Sequence, residues 1–301
     1  MFFHFLTPQK SVLKTCFFLL NFIMYSQSER RNRLMKRKID LTTIGGLLLC
    51  LGGIFAGYLM EGGSLSALLA VSPLLIIFGG TIGVVTITMS VSGLKSMPKL
   101  FRNIFTDVTY DFQALITNLC DWTKVSRKDG IVALGNVAET IEDPFVKRGI
   151  EYILDGSDYD TIKELLEKEI EAMMERHSAG AKPFEQAGAF APTMGIIGTV
   201  LGLVVILGGL GSAGIEELGH GIATAFLATF MGVASANLIF LPFNEKLKGK
   251  SAKEVLYKEI AMQGVLGIQS GVNPKTLRKK LVAYLPESEK DVEANSGKEG
   301  K

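Results

Sequence analysis

The chain has 301 residues, 48% of them hydrophobic, and a formal net charge of +2 from 32 basic and 30 acidic residues. Its three cysteines, Cys16, Cys50 and Cys120, are scattered without a CxxC pair, which argues against a zinc site or a disulfide framework and favours small apolar fillers. Nothing in the composition points to a nucleic-acid partner, and the distribution of charge says more than its sum.

No Lys or Arg lies between Lys38 and Lys95, and none between Lys182 and Lys246. A basic residue at a helix centre costs about 2.5–3.5 kcal/mol on insertion scales, so two such blanks predict paired membrane spans. Taken in chain order, residues 1–34 form a leader set apart from the fold. Its apolar run over 16–25 is too short to cross a bilayer. No small-residue cleavage site precedes Arg30, Arg31 and Arg33, and Met35 is an alternative start. The first hairpin, 35–94, splits at Glu61-Gly62-Gly63 into spans over 39–60 and 65–94.

Residues 95–185 follow as a soluble domain with 12 basic against 17 acidic residues and no strand-like alternation. Asp143-Pro144 predicts an N-cap followed by proline at the first helical position. Asp158 is placed to cap a helix through Ile162, Leu165, Leu166, Glu169 and Met173, and Ser126 is a candidate cap for another. The second hairpin, 186–243, splits around 211–219 into spans over 184–210 and 220–243. The tail, 244–301, carries 12 basic against 8 acidic residues and reads as one or two helices with a disordered end after Pro286. Both hairpin loops carry acid but no base, whereas the outer flanks hold Lys36, Arg37, Lys38, Lys95, Lys99, Arg102, Lys246, Lys248 and Lys250. The positive-inside rule puts those flanks, and both termini, in the cytoplasm. The expected fold is an all-α integral membrane protein of four transmembrane helices in two hairpins, with a helical cytoplasmic domain between the second and third.

Small residues recur four apart in every span: Gly53 and Gly57, Gly79 and Gly83, Gly198 and Gly202, then Ala228, Gly232 and Ala236. Such ladders let helix backbones approach closely, within the chain and between copies of it. Pro192, Gly195, Thr199 and Gly202 fall three or four apart, so one narrow stripe combines a kink, close-approach glycines and a hydroxyl. Thr229 lies in a similar stripe before Pro242. An intramembrane threonine often bonds back to its own helix; on these stripes, lining a pore is the competing expectation. No acidic residue sits deep in any span, although ion carriers usually rely on an intramembrane carboxylate. If the protein handles ions, a partner supplies that group.

Enzymatic chemistry finds no support. Gly249-Lys250-Ser251 looks like the end of a phosphate loop, but the required first glycine is Asn244, so Lys250 reads as a juxtamembrane charge. His4, His177 and His220 lack ligand-like spacing, and there is no catalytic triad. No cofactor is expected.

The two-hairpin layout, the helical segment after the second span and the run Ala191-Pro192-Thr193-Met194-Gly195-Ile196-Ile197-Gly198-Thr199-Val200-Leu201-Gly202-Leu203 resemble the MotA/PomA flagellar stator family. Ala228-Thr229-Phe230-Met231-Gly232 through Leu241-Pro242-Phe243 fits too, and the likeness covers about residues 35–285. The Pro192–Leu203 run resembles a pattern fairly specific to the wider MotA/TolQ/ExbB superfamily, within which four spans rather than three favour the stator branch. The alternatives are an ExbB/TolQ-like energiser of envelope transport and an autonomous small-solute transporter. The resemblance implies a pentameric ring around a dimer of MotB-type, one-span, peptidoglycan-anchored partners, whose aspartate binds the coupling ion, H+ or Na+. It implies that Pro192 and Pro242 couple ion flow to movement, that Thr199 and Thr229 line the ion path, and that the cytoplasmic domain pushes a rotor switch protein. Rotor contact in the family uses a basic and an acidic residue eight apart. Arg127 matches the first; the second position holds Gly135, which leaves Glu139 as the nearest downstream acid. A hydroxyl at position 199 resembles the sodium-type members.

Overall fold

The computed structural model describes residues 35–64, 68, 70–211, 214–287 and 290. The leader 1–34, with its Cys16 and His4, and nearly all of the polar end expected after Pro286 lie outside the described residues. Strand β1 (Met35–Ile39) leads into helix α1 (Leu41–Met60). Helix α2 (Val71–Thr88) contains a π-helical turn at Leu75–Gly79, and α3 (Val91–Phe105) follows. Strand β2 (Thr106–Tyr110) pairs with β1 in a two-stranded ribbon. Next come α4 (Phe112–Asp129), a 3-10 turn at Ile131–Ala133, the short α5 (Leu134–Ala138) and α6 (Pro144–Leu154). The 50-residue α7 (Tyr159–Gly208) is followed by α8 (Ile215–Ser235), a π-helical turn at Ala236–Phe240, α9 (Leu241–Gln269) and α10 (Pro274–Val282).

The caps show why helices start where they do. Asp143 Oδ1 accepts from the N–H groups of Phe145 and Val146 at 2.8 and 3.4 Å, with Pro144 in the first turn, as expected. Asp158 accepts from Thr161 N at 2.7 Å ahead of α7. Ser126 is a correction. It caps nothing and lies buried inside α4, because Asp111 already caps that helix through Ala114 N at 2.9 Å. The helix then runs past Ser126 to Gly130, whose φ of 86° stops it. The ribbon is an addition to the expected helical architecture; five residues of Thr106-Asp-Val-Thr-Tyr are too few for alternation to register.

Four helical stretches are long and apolar enough to cross a membrane: Leu41–Met60, Val71–Thr88, and parts of Tyr159–Gly208 and Ile215–Gln269. The second ends at Thr88, short of the expected 94, because Met89 is extended and Ser90 caps α3 through Gly93 N at 3.2 Å. In α1 no residue is buried, and Leu48 and Leu49 are 67% and 78% exposed, a surface that water does not favour. The protein is a multi-pass membrane protein.

The chain forms two compact units. One comprises, among the described residues, 35–37, 108–168 and those from 256 onward; in it α4 packs on α10, and Leu115, Ile116, Leu119, Leu277 and Leu281 of these helices are fully buried. The other comprises 38–107 and 169–255 and contains the apolar helices. Its aromatic core joins Ile104, Phe184 and Phe243, with Phe101 edge-on to Phe184 at 5.3 Å and Phe105 edge-on to Phe243 at 5.7 Å.

Candidate functional site

The stripe running down α7 from Pro192 faces α8. A Cβ at Gly195 would sit 2.9 Å from Ala228 O, and one at Gly202 would sit 3.1 Å from the Ala225 methyl. At Gly232 the approach is closest, with Ala191 O 2.6 Å and Gly195 Cα 2.9 Å from where a Cβ would stand. Backbone therefore meets backbone, and only glycine permits it. The other ladders behave differently: Gly53, Gly57, Gly79 and Gly83 meet nothing within 4 Å.

Close approach brings the two threonines together. Thr199 Oγ1 lies 2.5 Å from Thr229 Oγ1, 2.8 Å from Ala225 O and 3.1 Å from Gly195 O. The Thr229 hydroxyl can donate to Thr199 Oγ1, but the single Thr199 proton cannot serve the Ala225 and Gly195 carbonyl oxygens fully at once. Four oxygens thus converge on the half-buried contact of two apolar helices. Thr193 and Thr224 make only the ordinary bond back to their own helices, to Phe190 O and His220 O. The Ala225 carbonyl carries no sequence signal, since which helix pairs with the Pro192 stripe is a tertiary fact.

Pro192 lies inside α7, where a second proline, Pro183, precedes it by nine residues. Pro242 opens α9 directly after the π-helical turn Ala236–Phe240. A proline lacks an N–H and crowds the carbonyl four residues back, here Leu238, and the wider π turn accommodates both. Arg127 stands exposed in the last turn of α4 rather than at a helix start, and exposed Glu139 caps the end of α5.

A charged cluster that spacing alone did not reveal sits at the start of α1. Asp40 is buried; its Oδ1 accepts from Thr42 Oγ1 at 2.6 Å and Thr43 N at 3.2 Å, and its Oδ2 meets Lys246 Nζ at 2.5 Å and Lys250 Nζ at 3.4 Å. Lys250 Nζ also donates to Asn103 O, Ile104 O and Thr106 O at 2.8, 3.1 and 2.9 Å, closing the end of α3. Burial would raise the Asp40 carboxyl, but the Lys246 ammonium and the Thr42 and Thr43 hydrogen bonds overcome it and hold the group well below the usual carboxylate range. Burial pulls the Lys250 ammonium down, against the pull of Asp40. Lys250 is thus a structural clamp, more than the juxtamembrane charge expected. His177 is also engaged, with Nδ1 3.0 Å from Ser251 Oγ.

Among the described residues no cluster of His, Cys, Asp or Glu is arranged to hold a metal. With no carboxylate in the spans, the arrangement offers hydroxyl and carbonyl oxygens, a kinked helix and a close glycine contact.

Two family models match the chain: the MotA/TolQ/ExbB proton channel family over residues 137–260 and the motility protein A N-terminal family over 44–130. Motility protein A of Bacillus subtilis is 37% identical over 249 residues, 82% of this chain and 92% of the relative. Chemotaxis protein PomA of Vibrio alginolyticus is 33% identical, covering 85% of this chain and 99% of the relative. The solved flagellar MotAB stator complex of Bacillus subtilis contains a chain that superposes with a TM-score of 0.78 at 37% identity, covering 83% of this chain and 98% of that one. With both of its halves matched and relatives covered nearly end to end, this chain belongs to the MotA/TolQ/ExbB proton channel family, on its flagellar stator branch.

Proposed function

We propose that the protein is the ring-forming subunit of a sodium-driven flagellar stator, a motor component and not an enzyme. Its partner is a MotB-type, one-span protein anchored to peptidoglycan, which brings the intramembrane carboxylate that this chain lacks; the match to a MotAB complex supports that partner. The ring is a pentamer in the bacterial inner membrane with both termini cytoplasmic, in keeping with the basic flanks. Thr199 and Thr229 line the ion path, and Pro192 and Pro242 convert ion passage into movement of α7 and α9. Exposed Arg127 and Glu139 meet the rotor switch protein. One charge crossing 100 mV releases about 2.3 kcal/mol, so several ions act together in each productive movement.

The observation that carries the ion assignment is the convergence of four oxygens at Thr199. A sodium ion must exchange hydration water for oxygen ligands, which hydroxyls and carbonyls supply, whereas a proton needs only the partner's carboxylate. In a host lacking its own stator, the chain and its cognate partner together should restore swimming. Speed should fall steeply as sodium is withdrawn at constant pH and membrane potential, and Thr199→Ala should raise the sodium needed for half-maximal speed several-fold. Full speed without sodium, collapsing only with a protonophore, would assign the proton and leave Thr199 a packing residue. Failure to restore swimming at any sodium concentration would reject the stator reading itself.

A further inference from the structure

Helix α3 carries no acidic residue, and its 15 residues sort into stripes at roughly 100° per residue. Gly93, Met97, Leu100 and Ile104 share the inward face: Ile104 is fully buried, and Met97 and Leu100 pack against its cluster with Phe184 and Phe243. Val91, Leu94, Pro98 and Phe101 form a second stripe that is open, with Val91 73% and Leu94 49% exposed. Lys95, Lys99 and Arg102 form a third, next to the second and also exposed. Among the described residues none of these three bases is held in an ion pair. Only Met89 and Ser90 separate it from the end of the apolar α2 at Thr88, so it starts where that span leaves the bilayer.

An apolar stripe bordered by bases, on a helix without acids and continuous with a membrane span, has one complement within reach of all its parts. We propose that α3 is an interfacial anchor in the leaflet that the basic flanks face. Val91, Leu94 and the free edge of Phe101 enter the acyl boundary, and Lys95, Lys99 and Arg102 bind the phosphates of anionic lipid headgroups. The bases snorkel: their stems cover the apolar stripe while the charges reach the headgroup layer. A second copy of the chain is the competing occupant, but it would have to bring an acidic face to meet three clustered bases. The proposal rests on the reading of the apolar helices as membrane spans.

The test uses the full chain with its cognate partner, Cys16, Cys50 and Cys120 replaced, in nanodiscs of phosphatidylcholine with or without phosphatidylglycerol. A spin label at Leu94→Cys should be reached by oxygen and shielded from a water-soluble nickel chelate. Native mass spectrometry should show retained phosphatidylglycerol, and the Lys95→Gln, Lys99→Gln, Arg102→Gln variant should lose that preference by on the order of 100-fold, about five-fold per base. A label open to the chelate in both lipid mixtures would overturn the anchor. Shielding from both reagents, in detergent as in nanodiscs, would assign the stripe to a contact between copies. Equal lipid retention by the triple variant would overturn headgroup recognition. A control label at Leu48→Cys in α1 separates the two readings: if it too is open to the chelate, the membrane-span reading fails, whatever α3 does.

Discussion

Gly232 shows how little room the α7–α8 contact leaves. A methyl there would be driven against Ala191 O at 2.6 Å and Gly195 Cα at 2.9 Å. Neither can rotate away as a flexible side chain would, so the two helices must separate. Gly232→Ala is expected to cost about 1–3 kcal/mol, the range for forced overpacking. It should also part Thr199 from Thr229 and so, under the proposed sodium coupling, raise the sodium requirement as Thr199→Ala is expected to. Thermal unfolding of the purified complex and the sodium dependence of swimming would check both; unchanged unfolding would mean that the helices cross less closely than the structure has them. Much of this site was legible beforehand. The spacing of Pro192, Gly195, Thr199 and Gly202 puts them on one stripe whatever the tertiary fold. The identity of the facing helix, and hence the Ala225 carbonyl, was not, because helix pairing depends on the packing of residues far apart in sequence.

Among the elements, the start of α1, the end of α3 and the first turns of α9 meet through Asp40, Lys246 and Lys250. The Asp40 side chain is 3% exposed, so removing its charge strands two ammonium groups in a poorly solvated place. Breaking a buried pair from one side typically costs about 3–5 kcal/mol. Asp40→Asn is expected at the lower end, because the amide keeps an oxygen for Thr43 N and Thr42 Oγ1. The folded carboxyl sits below its unfolded value of about 3.9. Its stabilisation is therefore complete above that pH and is lost as pH falls through the depressed folded value. The stability gap between wild type and Asp40→Asn should thus be flat near neutrality and close only in strong acid. A gap that closed between pH 5 and 7 would contradict the ion pairing. Single elements were read well from local chemistry, as the Asp143 and Asp158 caps show. Ser126 misled because a serine ahead of charged residues looks like a cap, and only the helix already running from Asp111 says otherwise. The Asp40 cluster escaped for the opposite reason: its members lie more than 200 residues apart in the chain.

At the scale of the whole molecule the sequence speaks through absence. Two long intervals without Lys or Arg are visible to anyone counting charges; Leu41–Met60 and Val71–Thr88 lie within the first, and the apolar parts of Tyr159–Gly208 and Ile215–Gln269 fall in the second. The division into two compact units was less visible, since one of them joins residues 108–168 to the chain beyond 256, across the whole second hairpin. The distribution of bases also predicts orientation. The Glu61 and Glu216 loops carry no base, whereas Lys128 and Lys279 belong to base-bearing stretches, and moving such stretches across a bilayer opposes the positive-inside bias. All four residues are exposed, so a cysteine at each is accessible to a reagent on its own side. With the natural cysteines replaced, a membrane-impermeant maleimide added to intact cells made permeable only in their outer membrane should label positions 61 and 216. Positions 128 and 279 should react only after the inner membrane is breached. Labelling of position 128 in intact cells would place the unit that holds it outside, where the proposed contact with a cytoplasmic rotor could not form, and the proposed stator mechanism would fall with it. Reaction of 61 from outside but 216 only after lysis would instead break the second hairpin and leave the first intact. Each outcome therefore bears on one pair of helices, and the full pattern is what the proposed stator requires, with α7 and α9 both leading to the side that the basic flanks face.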